Sequence, residues 1–459
     1  ALGTRIVALP VPAGEYAGLQ TGESGKVYYL RTADGKTSLQ QFDLKTRKTE
    51  TWVPSADAYA VTADGKKLLY RSGTSLHVVP TTKKADGAEG KVNVDAVQVR
   101  VDPQAEWPQI FDEAWRINRD YFYATNYHGR DWPAMKKKYA QFLPHLADRG
   151  DLARLIQWMA SELAVGHSYG GGGDARRKPG VVPGGLLGAD VEVVGDRYRI
   201  RKVYGGLNWT PTLRAPLTEP GVDVQAGEYL LAVNGVDLRA STTNLHAPFE
   251  NTAGTLVELT VGPNADGSGS RTVKVVPIES EAALRNRDWV EGNLRKVTDA
   301  TKGRVAYVYV PNTAGLGHEY FKRYFYPQTG RDAVIVDERF NGGGQVADYY
   351  IDLLRRPLVS YWATRHGEPI RTPSAAILGP KVMITDETAG SGGDLLPWMF
   401  RKFGLGPIVG KRTWGGLVGI LGYPVLMDGG TVTAPNLAIY TEDGWVVENE
   451  GVPPDIEVE

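Results

Sequence analysis

Apolar and polar positions alternate with a period of two over much of the first hundred residues. Short runs at 26–30 (KVYYL), 39–43 (LQQFD), 67–70 (KLLY) and 76–79 (LHVV) are separated by the turn signals Asp34-Gly35 and Asp64-Gly65. A spacing of about ten residues per strand predicts a β-meander. Residues 25–53 read as one four-stranded propeller blade and 60–80 as part of another. Propellers close with about four to eight blades, so the rest of such a propeller is expected outside this chain. A small β-sandwich is the competing topology.

The period then changes. Residues 81–104 are polar and read as a linker. Beyond them Trp107, Ile110, Phe111, Trp115, Asn118, Tyr121 and Phe122 recur at three- and four-residue steps, which predicts an amphipathic helix. A second helix is expected with Asp151 as its N-cap and Leu152, Leu155, Ile156, Met159 and Leu163 on one face. It stops at Gly166, which places His167 just past its end. The glycine-rich stretch 170–180 reads as a boundary loop. From about 181 to 278 the pattern is again β, with strands at 190–194, 198–201, 228–233 and 256–261 and hairpin signals at Asn234-Gly235 and Asp266-Gly267. Residues 281–297 are charged and helical in pattern. From 303, strands at 305–310, 333–337 and 381–385 alternate with helical stretches at 318–327, up to about 355, and from Ser391. That βαβ rhythm predicts a parallel sheet flanked by helices. Short strands at 431–434, 436–440 and 445–448 are expected to close the chain.

Composition narrows the function classes. The 459 residues carry 52 Lys+Arg against 53 Asp+Glu, a formal charge of −1. That balance argues against a strongly basic nucleic-acid binder. Cysteine is absent, which excludes disulfides, thiolate catalysis and iron–sulfur clusters. No run of 18 apolar residues is present, so no membrane span is expected. The sequence begins at Ala1 without a secretory pattern, as a mature or truncated product would, and leaves the compartment open.

The strongest chemical signal is 385–394 (TDETAGSGGD). An apolar strand runs into small residues, a serine, two glycines and an apolar helix. A serine at a helix N-terminus has unpaired backbone N–H groups and the positive end of the dipole beside it. An acyl-transfer nucleophile needs that setting, because its tetrahedral intermediate carries an oxyanion. Equally, serine is a common N-cap, and Ser391 can be read as no more than that. The glycines of Asn341-Gly342-Gly343-Gly344 allow close backbone approach. They read as an oxyanion donor or as a plain strand-to-helix turn; a phosphate cradle fails because no Lys-Ser/Thr follows. Among seven histidines, His167 stands out for its place before a flexible loop. No paired His/carboxylate spacing suggests zinc. Glu448 and Glu450, near the C-terminus, could orient a base or be surface charges.

Together these segments resemble the C-terminal half of the tricorn protease family, within the wider group of serine peptidases that includes the C-terminal processing proteases. The motifs, in family order, are FDEAWRINRDYFYATNYHGRDW, SELAVGHSYGGGGD, VDERFNGGG, TAGSGGD, VGKRTWGGLVGI and VENEGVPPDIEV. The resemblance implies a multidomain fold, α/β plus all-β: a partial β-propeller (1–97), a helical core subdomain (104–177), a PDZ-like domain (178–280) and an α/β catalytic core (285–459). It implies a serine endopeptidase acting on peptides or unfolded polypeptide through a Ser-His-Glu relay, with no metal or organic cofactor. Ser391 matches the nucleophile, His167 the base and Glu448 the acidic residue, with Glu450 as alternate. The N–H groups of Gly392 and of Gly343 or Gly344 match the oxyanion hole. The family also implies a homo-oligomer, often hexameric, and a cytoplasmic location, an exported one being the alternative.

Two departures are visible. The family's serine before the histidine is Gly166 here, so the link from base to glutamate would run through water or Ser168. The aspartate after the nucleophile is Gly392. A lysine dyad is excluded, because Gly416 occupies the place of the processing proteases' lysine, and Lys411 lies upstream. The resemblance also predicts an acidic specificity residue near 360–370, where Glu368 is the only carboxylate. The competing reading is a catalytically decayed peptide-binding scaffold that uses the PDZ-like and propeller modules; a non-peptide hydrolase on the same fold is a third.

Overall fold

The computed structural model describes Ile6, residues 8–174 and residues 180–459. It comprises two compact units, one up to Asp102 and one from Pro103 onward. The boundary loop expected at 170–180 lies partly outside the described residues.

In the first unit, β1 (Glu15–Thr21), β2 (Lys26–Ala33), β3 (Lys36–Asp43) and β4 (Lys48–Val53) form a four-stranded antiparallel meander, and β5 (Ala58–Val61), β6 (Lys67–Ser72) and β7 (Ser75–Pro80) a three-stranded one. Tyr28, Leu39, Trp52, Val53, Leu68, Tyr70 and Val79 make its core. The four-stranded blade therefore covers 15–53, and 25–53 holds only three of its strands. Its first strand is exposed at nearly every position, so no buried alternation marked it.

The second unit opens with α1 (Pro103–Tyr121), α2 (Trp132–Ala140) and α3 (Arg149–Ser161). Trp107, Ile110, Phe111, Leu152, Leu155, Ile156 and Met159 bury one face of α1 and α3. Trp115 and Trp132 each donate the indole N–H to the other's carbonyl, at 3.0 and 3.1 Å, and so clasp α1 to α2. The N-cap of α3 is Asp148, whose carboxylate accepts Asp151 N–H. Asp151, read as the cap from sequence, lies inside the first turn. The helix ends at Ser161, so His167 sits in irregular chain well beyond it. A two-residue strand β8 (Gly170–Gly171) follows.

Strands β9 (Ala189–Val194), β10 (Arg197–Val203), β11 (Tyr229–Val233), β12 (Val236–Asp237), β13 (Val257–Gly262) and β14 (Arg271–Val275) build an antiparallel sheet of order β14-β13-β11-β10-β9, with β12 on β11. Then α4 (Ala282–Ala300) leads into the α/β core: β15 (Val305–Tyr309), α5 (Gly315–Phe325), β16 (Ala333–Asp337), α6 (Ala347–Leu354), the hairpin β17 (Ser360–Trp362) and β18 (Ile370–Thr372), β19 (Lys381–Thr385), α7 (Gly392–Lys402) and β20 (Ile408–Gly410). The chain closes with β21 (Thr431–Val432), the hairpin β22 (Tyr440–Thr441) and β23 (Gly444–Trp445), and β24 (Ile456–Glu457). β15, β16, β19, β20 and β24 lie side by side in that order, all parallel, around a core that includes Tyr307, Val308, Val334, Val336, Met383, Leu396 and Phe400.

Two consequences position a site. Neighbouring parallel strands β16 and β19 end at the same edge, so the loops after them lie together, where α/β sheets present ligand sites. Meanwhile β21 pairs antiparallel with β8, and Val418, Leu426, Val432 and Ala434 pack into the core of α1–α3. That pairing ties the segment after α3, with His167, to the segment that follows β20. Of the strand expected at 445–448 only Trp445 is in strand, as the end of β23, and residues 448–450 make a turn.

Candidate active site

Ser391 is the N-cap of α7 and has φ +59, ψ −116, a conformation that costs a non-glycine residue about 1–3 kcal/mol. Small residues and glycines around it allow so sharp a corner. The loop before it is organised by Asp386, whose Oδ1 accepts Thr388 N–H at 3.1 Å, Ala389 N–H at 2.9 Å and the Thr388 hydroxyl at 2.8 Å. The same carboxylate accepts Phe340 N–H at 3.1 Å, which staples the loop after β16 to the loop after β19.

Asp394, fully buried on the first turn of α7, accepts Ser391 N–H at 2.8 Å, Gly415 N–H at 2.7 Å and Gly416 N–H at 3.1 Å. Burial pushes its carboxyl up, while the Thr413 hydroxyl and those amides hold it down. It fixes the Ser391 corner to the 413–416 segment.

His167, at φ +58, lines the same cleft of about 400 Å³ as Ser391, with Tyr169, Asn341, Glu387 and Trp414. Segments more than two hundred residues apart thus meet in one pocket. The ring is half-buried; burial holds it below the ordinary histidine value, against the upward pull of Glu448 and then Asp394. That keeps the imidazole neutral, as a general base requires. Among the described residues no hydrogen bond joins the Ser391 hydroxyl to the imidazole, and Nδ1 of His167 is buried without a partner.

The structure separates the two candidate glutamates. Glu448 turns inward: Oε1 accepts Gly166 N–H at 2.7 Å and Oε2 accepts Val418 N–H at 2.6 Å. It therefore grips the residue before His167. The turn that aims it is strained, with Val447 at φ +72 and Asn449 at φ +62, and Asn449 donates to Ala164 O at 2.7 Å. Glu450 is exposed and enters the network through its backbone: its N–H donates to Val447 O at 2.8 Å and its carbonyl accepts from Arg412 at 2.9 Å. Ser168 makes no bridge either: its hydroxyl is buried with no partner.

The expected oxyanion donors divide in the same way. Gly392 is the first residue of α7, so its N–H lies outside the helical ladder. Gly343 N–H, expected to face an oxyanion, instead donates to Asn341 Oδ1 at 2.9 Å. Gly344 N lies against Gly392, 2.8 Å from where a Cβ there would stand, with Thr313 Oγ1 at 2.0 Å and Gly344 O at 2.4 Å. Position 392 can hold only glycine in this packing.

Trp414 was not singled out from sequence. Its ring lies 5.3 Å from that of His167. A Cβ at Gly416 would stand 2.1 Å from it, at Gly390 2.6 Å, and at Gly166 3.2 Å. The indole thus fills the space a lysine at 416 would enter. Lys411 reaches Glu387 instead, at 3.4 Å, with both side chains exposed. Asp394 and Trp414 were findable only as Ser391-x-x-Asp394, a capping pattern, and as a tryptophan among glycines. Among the described residues no group of three or more His, Asp or Glu could hold a metal ion, and no helix is long and apolar enough to cross a membrane.

Comparison with known proteins agrees with the resemblance read from the motifs. Residues 304–458 match the family model for Peptidase family S41, 103–161 that for the Tricorn protease C1 domain and 185–280 that for the Tricorn protease PDZ domain. The chain is 35% identical to Tricorn protease homolog 1 of Streptomyces coelicolor, with 100% of the chain and 44% of that protein covered. It is 31% identical to Tricorn protease of Thermoplasma acidophilum, over 94% of the chain and 40% of that protein. A crystal structure of the tricorn protease superposes with a TM-score of 0.86 at 29% identity, over 98% of the chain and 44% of the other. The chain spans about half the length, or less, of the curated relatives it matches.

Proposed function

Because the chain belongs to the tricorn protease family, we propose that it is a serine endopeptidase acting on peptides or unfolded polypeptide, with Ser391 as nucleophile and His167 as general base. The observation that carries this reading is the shared cleft. A neutral imidazole and a serine on a strained helix-start corner face one pocket.

In the proposed reaction His167 takes the proton of the Ser391 hydroxyl as the oxygen attacks the scissile carbonyl. The carbonyl carbon becomes tetrahedral and its oxygen negative. Gly392 N–H, at the positive end of α7, faces that charge; Gly344 N–H is the neighbouring donor, since Gly343 N–H is engaged by Asn341. Collapse of the intermediate expels the amine, which takes the proton back from His167 and leaves an acyl ester on Ser391. Water then attacks the ester carbonyl, giving its proton to the same imidazole; the second tetrahedral intermediate collapses, the bond to the Ser391 oxygen breaks as His167 returns the proton to it, and the acid leaves. Glu448 acts through position rather than by a direct bond: it holds the Gly166 amide, and its charge favours the imidazolium as it forms.

A fluorophosphonate probe tests this. Labelling of the folded chain that vanishes in Ser391→Ala and falls strongly in His167→Ala is expected. The decayed-scaffold reading, favoured only by the unpartnered Nδ1 of His167, predicts no labelling of the folded wild-type chain. The homo-oligomer that the family resemblance implies is tested separately by sedimentation velocity.

A further inference from the structure

The PDZ-like sheet carries a second recognition surface, and its central polar contact comes from within the chain. β9 is an edge strand. Beside it runs a cleft of about 340 Å³ walled by Leu186, Leu187, Val191, Leu245 and Phe249. In PDZ-type recognition an extended peptide adds to such an edge, and a nest of backbone N–H groups can capture a terminal carboxylate. The loop before β9 has the donors. Gly188, at φ +74, turns the chain so that its own N–H and that of Ala189 converge.

Both donors are taken. Glu281 Oε1 accepts Gly188 N–H at 2.7 Å and Ala189 N–H at 3.2 Å. Glu281 precedes α4 as its N-cap residue, yet its side chain makes no capping bond to that helix. Its second oxygen accepts Arg285 Nε at 3.0 Å and Nη2 at 2.6 Å. Arg285 is anchored in turn by Asp190 Oδ1 and the Tyr204 hydroxyl, each at 2.7 Å. One turn on, Leu284 is buried with Tyr204, Leu213 and Ala215, and Lys202 pairs with Asp288 at 2.5 Å. Glu281 is only 8% exposed and is fixed at the junction of the PDZ-like sheet with α4.

We propose that Glu281 is an intramolecular stand-in for a peptide's terminal carboxylate. It fills the carboxylate seat of the PDZ-like domain. The domain consequently does not select free C-termini, and the cleft along β9 takes extended segments whatever their ends. This proposal does not depend on the catalytic reading.

Dye-labelled octapeptides with an apolar last residue, made as free acid and as C-terminal amide, are titrated into the chain and followed by fluorescence anisotropy. Wild type is expected to bind the two forms within about twofold of each other; a folded wild type that binds neither overturns the proposal. Glu281→Ala empties the seat and is expected to favour the free acid by about tenfold or more, as a charge-assisted contact would. A tenfold preference for the free acid in wild type overturns the proposal, as does a folded Glu281→Ala without one. Hydrogen exchange on wild type covers the case in which the variant does not fold. The Gly188 and Ala189 amides should be protected without peptide and unchanged by the free-acid form; fast exchange that slows when that peptide is added overturns it.

Discussion

Replacing Glu448 separates its two jobs. Its oxygens accept Gly166 N–H at 2.7 Å and Val418 N–H at 2.6 Å, and a hydrogen bond to a charged partner contributes about 1.5–3 kcal/mol. Glu448→Ala removes both, a loss of about 3–6 kcal/mol, with solvent reaching the half-buried Gly166 amide favouring the lower figure. Glu448→Gln keeps one acceptor and sets an amide donor against the other N–H, for about 1.5–3 kcal/mol. The second job is electrostatic. The Glu448 carboxylate pulls the His167 pKa up while burial pulls it down; a neutral glutamine leaves burial less opposed and makes the imidazolium harder to form. The acid limb of kcat/KM, expected below the ordinary histidine value of about 6.5, therefore moves to still lower pH in Glu448→Gln. The assays are kcat/KM for a fluorogenic peptide from pH 4 to 9 and urea melts of both variants. A purely structural role would lower activity without moving the limb. A limb that stays or moves upward, or a stability loss in Glu448→Ala below about 0.5 kcal/mol, refutes the reasoning, since surface substitutions of no consequence fall in that range.

Three further outcomes are expected. Gly392→Ala drives a Cβ into Thr313 Oγ1 and the Gly344 backbone, so it should cost about 1–3 kcal/mol and lower kcat/KM about 100-fold by displacing the donors; activity within threefold of wild type would contradict this. Glu338 is wholly buried, and burial first, then the Asp394, Asp386 and Asp337 carboxylates, raise its pKa well above the ordinary glutamate value despite the donor from Asn341. The folded state thus keeps a proton that the unfolded chain releases near pH 4.5, and this contribution is full below that pH and declines by about 1.4 kcal/mol per unit above it until the folded-state pKa is reached. Urea melts should show Glu338→Gln gaining on wild type as pH rises through that window, and a constant difference would dismiss the idea. Arg149 and Asp428 form an ion pair at 2.5 Å with side chains 3% and 2% exposed; Asp428→Ala should cost about 3–5 kcal/mol and the double change Arg149→Met/Asp428→Leu recover a good part of it, as thermal melts will show.

What was legible in the sequence was local. The β19–Ser391–α7 corner declared itself because an apolar run, a cluster of small residues and an amphipathic helix are contiguous. The β16–glycine loop did so for the same reason. His167 stands out in the sequence by its place before a glycine-rich loop and by its motif, but its partners do not, because the pairing of β8 with β21 that ties its segment down spans two residues, too short to leave a periodic trace. The choice of Glu448 over Glu450 depended on a turn with two positive-φ residues, Val447 and Asn449, and a valine there gives no warning of such a conformation. Asp394 passed as an ordinary polar residue in a glycine motif, since its partners at 415 and 416 come from another loop. α2 escaped notice because Trp132 alone among its residues is buried.

The indole of Trp414 restricts what its neighbours in the cleft can become. A lysine introduced at 416 would collide with the ring, and a smaller residue at 414 alone would strip His167 of its wall and leave Gly166, Gly390 and Gly416 facing an unfilled hollow. Either single change therefore disturbs the cleft that His167 shares with Ser391; the large ring and a basic chain would have to trade places together.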